Sequence, residues 1–132
     1  MNKSLLVAED DPGLRKYFML ILKQKGYEVH GAENGKEALS LLLEKKKFDL
    51  LITDINMPVM SGIELIKEIN KSPINIPVSV ITSIDDIRLI PTLRELGCSI
   101  ILEKPVTSNE LFNMVTNILS KEKKDGCLSS SA

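Results

Sequence analysis

The chain contains no tryptophan, and aromatic residues make up only 4% of its 132 residues. Its core must therefore be aliphatic, and Leu, Ile and Val are abundant enough to build one: hydrophobic residues reach 43%. There are only two cysteines, Cys98 and Cys127, in unlike contexts and without metal-ligand spacing. Cys98 reads as a packed strand residue and Cys127 as tail, which suits a reducing compartment. The single histidine, His30, falls on an edge-like strand far from every acidic motif. It reads as structural or exposed and not as a phosphorelay histidine. Neither charge sign is in excess, since 17 Lys and Arg meet 18 Asp and Glu for a net charge of -1. No nucleic-acid or membrane surface is expected from that balance. No apolar run approaches membrane-spanning length. Met1-Asn2-Lys3 mimics the start of a signal peptide, but the apolar run Leu5–Ala8 is too short and ends in three acids. A cytoplasmic protein is expected.

What is present is a regular alternation. Short aliphatic runs at Ser4–Ala8, Tyr27–Gly31, Phe48–Thr53, Pro77–Ile81 and Ser99–Leu102 are bounded by turn residues and read as strands. Three of them are almost continuously apolar, as in central parallel strands covered on both faces. Helical patterns lie between. Asp11-Pro12 supplies an N-cap and a proline at the first helical position, before Leu14, Tyr17, Phe18 and Ile21. Gly26 ends that segment. Asn34 with Glu37 opens a helix carrying Ala38, Leu41 and Leu42. Ser61 with Glu64 and Thr107 with Glu110 form capping boxes. The first precedes Ile63, Ile66 and Ile69. The second precedes Leu111, Met114, Val115, Ile118 and Leu119. Asp85–Leu96 is a weaker helix, because Pro91 falls inside it. Five strands alternating with five helices predict a doubly wound, three-layer α/β domain with a parallel sheet. Residues 1–122 are expected to form it, and 123–132 a polar, serine-rich tail. Lys45-Lys46-Lys47 reads as a solvated helix end.

Such a fold places every strand's C-terminal end on one edge, where these sheets bind ligands. Glu9-Asp10-Asp11, Asp54, Thr82-Ser83 and Lys104-Pro105 follow four different strands and so converge there. Clustered carboxylates repel one another unless a cation joins them. A hard, oxygen-rich site favours Mg²⁺ or Mn²⁺. An aspartate beside such a cation can accept a phosphoryl group, and the transferring group needs cationic and hydroxyl partners. Asp11 reads as the helix cap and not as a ligand.

The four motifs together resemble the receiver domain of two-component response regulators over about residues 3–120. They are Leu5-Leu6-Val7-Ala8-Glu9-Asp10-Asp11-Pro12, Leu50-Leu51-Ile52-Thr53-Asp54-Ile55-Asn56-Met57-Pro58 with Ser61-Gly62, Thr82-Ser83, and Glu103-Lys104-Pro105. The resemblance implies a flavodoxin-like five-stranded sheet of order 2-1-3-4-5. It makes Asp54 the phosphoacceptor, Asp10 a direct metal ligand and Glu9 a second acid acting through water. The backbone carbonyl of Asn56 would complete the Mg²⁺ (or Mn²⁺) site. Thr82 and Lys104 would bind the phosphoryl group, and the bond before Pro105 would be cis. The implied partners are a histidine kinase or histidine phosphotransfer protein and an output protein, the latter docking on the face of the fourth helix, fifth strand and fifth helix. The chain would catalyse only its own phosphorylation and dephosphorylation.

Two features depart from the family pattern. Ile101 stands where receivers carry Tyr or Phe, which excludes an aromatic rotamer switch. Pro91, with Asp85-Asp86 close by, makes the fourth helix the marginal element. The competing function classes fit less well. An aspartate-nucleophile hydrolase needs a second acid two residues after the nucleophile, where this chain has Asn56. A nucleotide- or flavin-binding module needs a glycine- or hydroxyl-rich loop after the first strand, where this chain has three acids. A receiver-like module that has lost phosphorylation would not keep the acceptor, acid and lysine positions together.

Overall fold

The computed structural model describes residues 2–44 and 47–125, with side chains to residue 120. The elements alternate as β1 (Ser4–Ala8), α1 (Pro12–Gln24), β2 (Glu28–Ala32), α2 (Gly35–Leu43), β3 (Leu50–Asp54), α3 (Gly62–Lys71), β4 (Val78–Thr82), a 3-10 helix (Ile84–Leu89), α4 (Ile90–Glu95), β5 (Ile101–Glu103) and α5 (Ser108–Asp125). The sheet is parallel throughout, in the order β2-β1-β3-β4-β5. Alternate residues of each central strand point to opposite faces. Leu5, Val7, Leu50 and Ile52 pack with Phe18 and Leu22 of α1 and with Leu111 and Val115 of α5. Leu6, Ala8 and Leu51 pack on the other face with Ala38 of α2 and Leu65 of α3. A third cluster joins Ile55, Ile66, Val80, Leu93 and Cys98 under α4. These layers bury the sheet on both sides, and that burial is the main force holding the strand ends together.

The helix starts follow their caps. Asp11 accepts from the Gly13 N–H at 3.0 Å, and Asn34 from that of Glu37 at 2.8 Å. Ser61 and Glu64 close the expected capping box, as do Thr107 and Glu110. Tyr17 is an exception to the expected core stripe of α1: its side chain is 45% exposed. His30 lies on edge strand β2 and meets Phe48 edge-on at 5.4 Å between ring centroids.

Four strands begin one or two residues later than expected: β2 at Glu28, β3 at Leu50, β4 at Val78 and β5 at Ile101. At the end of α1 the Gly26 N–H bonds to Lys23 and the Tyr27 N–H to Leu22, with Gly26 at φ +97°. At the end of α4 the Gly97 and Cys98 N–H groups bond to Arg94 and Leu93. Both are Schellman closures. Tyr27 is therefore spent on ending a helix and β2 starts at Glu28; Cys98 is spent in the same way, and β5 starts at Ile101. Cys98 is buried, as expected, but in the loop between α4 and β5 and not in a strand.

Pro91 is accommodated by a late start. The segment after β4 winds first as a 3-10 helix, and α-helical geometry begins at Ile90. Proline then sits in the first turn, where its missing N–H would have had no helical partner. α5 continues to Asp125, past residue 123 where a tail was expected to begin. Residues 126–132, including Cys127, lie outside the described residues, as do Lys45 and Lys46. Among the described residues no helix is long and apolar enough to cross a membrane.

Candidate functional site

The C-terminal ends of β1, β3, β4 and β5 bring the acidic and basic groups together. Asp54 is the last residue of β3 and is almost fully buried. Its Oδ1 accepts the Ile55 N–H at 2.7 Å and its Oδ2 accepts from Lys104 Nζ at 3.0 Å. The same ammonium lies 3.2 Å from Glu9 Oε1. Glu9 is only 2% exposed, and its other oxygen accepts the Asp11 N–H at 3.2 Å. Asp10 is exposed beside them. Glu9, Asp10 and Asp54 each offer a carboxylate oxygen, all within 4.8 Å of one another.

The backbone around these groups is tightly constrained. Gly62 opens α3 so close to the acceptor strand that a Cβ there would overlap the carbonyl of Asp54. Its N–H donates to the Ile55 carbonyl at 2.8 Å, closing the loop between β3 and α3. The Lys104 N–H donates to the Thr82 carbonyl at 2.7 Å, carrying the β4–β5 ladder one step further. The Lys104–Pro105 bond is cis, as expected.

The electrostatics are those of a site short of positive charge. Burial, reinforced by the Asp54 charge, pushes the Glu9 carboxyl up to about 7, against opposing contributions from the Asp11 N–H and Lys104. Burial pulls the Lys104 ammonium down, but its hydrogen bond to Asp54, the Asp54 charge and Glu9 outweigh it and hold the group above its ordinary value. One ammonium thus serves two carboxylates, with the Asp10 carboxylate close beside them. Hard oxygen donors in this number fit a divalent cation, which would relieve the repulsion.

The remaining expected residues are placed less directly. The Thr82 hydroxyl is buried at the end of β4 and donates to the Ser83 carbonyl at 3.2 Å. The Asn56 side chain is exposed and reaches Asp86, with its Nδ2 3.3 and 3.4 Å from the two carboxylate oxygens. Ile101 is half-buried against the Val80, Leu93 and Cys98 cluster.

Two contributors carry no motif. Arg15, one helical turn after the Asp11 cap, donates from Nη1 to the Glu9 carbonyl at 2.7 Å and secures the β1–α1 loop. Asp86, read from sequence only as a helix competitor, is buried and bonds the loop after β3. Neither role has a sequence signal, because each depends on a side chain reaching backbone or loop in space.

The sequence matches the response regulator receiver domain over residues 5–116. The chain belongs to this family. The receiver domain is 36% identical over 117 residues to the transcriptional regulatory protein GlrR of Escherichia coli K12, covering 89% of this chain and 26% of that protein. It is 30% identical to the sporulation initiation phosphotransferase F of Bacillus subtilis 168, covering 90% of this chain and 95% of that protein. Its fold superposes on a CheY-like response regulator receiver domain protein from Methanospirillum hungatei JF-1 with a TM-score of 0.87 and 26% identity, over 95% of this chain and 99% of that one. The chain spans only a quarter of the length of GlrR. GlrR is a transcriptional regulatory protein, and the flavodoxin-like sheet order is that of the family. A receiver domain of this kind is consistent with phosphorelay signalling.

Proposed function

We propose that this receiver accepts a phosphoryl group on Asp54 and thereby switches its affinity for an output protein. The observation that carries the proposal is the buried Asp54 carboxylate, bonded to Lys104 at 3.0 Å and clustered with Glu9 and Asp10 at the sheet edge. A surface aspartate without catalytic use would not be buried among other acids.

Glu9, Asp10, Asp54 and the Asn56 backbone carbonyl would hold Mg²⁺ or Mn²⁺. The cation supplies charge neutralisation to the peripheral phosphoryl oxygens. Asp54 does the bond-making. One carboxylate oxygen forms a bond to phosphorus while the bond from phosphorus to the donor breaks. The donor is the phosphohistidine of a histidine kinase or histidine phosphotransfer protein, and its nitrogen keeps the electron pair. Lys104 already stands at the acceptor and passes its hydrogen bond from the carboxylate to a phosphoryl oxygen. The Thr82 hydroxyl, at the end of the adjacent strand, turns from the Ser83 carbonyl to another. Water later cleaves the acyl phosphate, so the domain catalyses no reaction beyond its own phosphorylation and dephosphorylation.

The output protein is proposed to dock on the face of α4, β5 and α5, in the cytoplasm. Incubation with a small acyl phosphate and Mg²⁺, followed by intact-mass measurement, tests the proposal. One added phosphoryl group, lost when Mg²⁺ is chelated beforehand, is the expected result. No mass gain with Mg²⁺ present overturns it.

A further inference from the structure

Asp86 is a buried carboxylate, 6% exposed, that the acceptor chemistry does not use. It lies in the first turn of the 3-10 helix Ile84–Leu89, after the Ser83 cap. Ser83 makes no side-chain bond to the helix backbone. Its hydroxyl donates instead to Asp86 Oδ2 at 3.1 Å. Both oxygens of Asp86 face the Asn56 carboxamide at 3.3 and 3.4 Å. One buried carboxylate therefore joins the loop after β3 to the turn after β4, across thirty residues of sequence. Its neighbour Asp85 is exposed and makes no side-chain hydrogen bond among the described residues.

We propose that Asp86 is a positioning residue for the acceptor site: it holds Asn56, and with it the β3–α3 loop, in the conformation that receives the cation. The inference rests on the assignment of the Asn56 carbonyl to the metal site. A carbonyl on a free loop must be ordered when the cation arrives, and that ordering weakens binding. A loop already fastened through its side chain has that ordering in place. A buried carboxylate is kept between neutral donors only at a desolvation cost, and a hydrophobic residue could have filled the space without it. The clasp also joins the site to the 3-10 helix, so the two segments are held by one group.

Mg²⁺ binding measured by calorimetry on the full chain, well below the melting temperature, tests the role. Asp86→Ala should weaken Mg²⁺ roughly three- to tenfold, the loss expected when one restrained side chain and its loop are freed. Asp85→Ala removes the same charge one residue away without touching the clasp and should leave the affinity unchanged. In the double variant Asn56→Ala/Asp86→Ala the Asp86 change should add nothing to that of Asn56→Ala alone, because the two residues act as a pair. If Asp86→Ala fails to fold, Asp86→Asn serves instead. It keeps the acceptor at Oδ2 but puts an amide donor where Oδ1 faces the Asn56 Nδ2, and should lose part of the affinity. Wild-type affinity in a folded Asp86 variant, or equal losses from Asp85→Ala, overturns the positioning role while leaving the acceptor assignment standing. A wild type that binds no Mg²⁺ overturns both.

Discussion

Lys104 stands 3.0 Å from Asp54 and supplies the positive charge nearest to it, while sharing that charge with Glu9 at 3.2 Å. Three strands are tied by this one ammonium: Glu9 follows β1, Asp54 ends β3 and Lys104 follows β5. Replacing Lys104 by Ala leaves two buried carboxylates facing each other. Thermal stability should fall, by about 1–3 kcal/mol given that the lysine side chain is still a quarter exposed. Mg²⁺ should restore at least as much stability to Lys104→Ala as it adds to the wild type, whereas phosphorylation should be lost. Melting curves with and without Mg²⁺, together with acyl phosphate labelling, check both halves. Intact labelling of Lys104→Ala would reduce the residue to a structural counter-charge.

Glu9 gives the domain a pH dependence. Its carboxyl is raised from 4.5 to about 7 on folding, first by burial and then by Asp54. Between those values the folded state holds more protons than the unfolded state, so stability contributed by this group falls as pH rises through that window. In the presence of chelator, urea midpoints should decline from about pH 5 to pH 7, and Glu9→Gln should flatten the decline. Cation binding needs the deprotonated acid, so Mg²⁺ affinity should rise over the same range. An unchanged slope in Glu9→Gln would assign the effect to another group.

Gly62 is required by distance and not by backbone angle. A Cβ there would meet the backbone carbonyl of Asp54, which cannot move without shifting the acceptor strand. Gly62→Ala should destabilise the fold by about 1–3 kcal/mol in urea titrations, as overpacked cores do. It should also slow acceptor labelling at a temperature where the variant is fully folded. A variant with wild-type stability would mean that α3 can be displaced freely.

Ile101 packs into the α4 cluster, and Pro91 confines α-helical geometry to Ile90–Glu95. The response to phosphorylation is therefore expected in the 3-10 helix and α4, since a short, marginal element is easily biased by a ligand. Hydrogen exchange should show residues 84–95 weakly protected at rest, and their protection should change when a phosphate mimic binds with Mg²⁺. Full protection that does not respond would place the signal in the rigid surface or the added charge.

The architecture was legible because each level of the sequence agreed. The caps at Asp11, Ser61 and Thr107 and the apolar runs around Leu6 and Leu51 all pointed to the same alternation. Strand starts were legible only to within one or two residues. Tyr27 and Cys98 have strand-like character, yet their N–H groups close the preceding helices. Backbone hydrogen bonding decides such boundaries, and side-chain type does not report it. The acidic cluster and Lys104 could be placed together because topology alone puts strand ends on one edge. Arg15 and Asp86 could not, since their partners are a loop carbonyl and a side chain distant in sequence. The half-exposed Tyr17 shows the same limit for helical spacing, which gives a face but not its edge.

The identity of the acceptor is tested most directly by labelling the wild type and Asp54→Asn side by side with a small acyl phosphate and Mg²⁺, then measuring intact mass. Asparagine keeps the shape of the side chain and removes the attacking carboxylate. The wild type should gain one phosphoryl group and Asp54→Asn none, with both proteins folded. Equal labelling of Asp54→Asn would contradict the assignment of Asp54 as the acceptor.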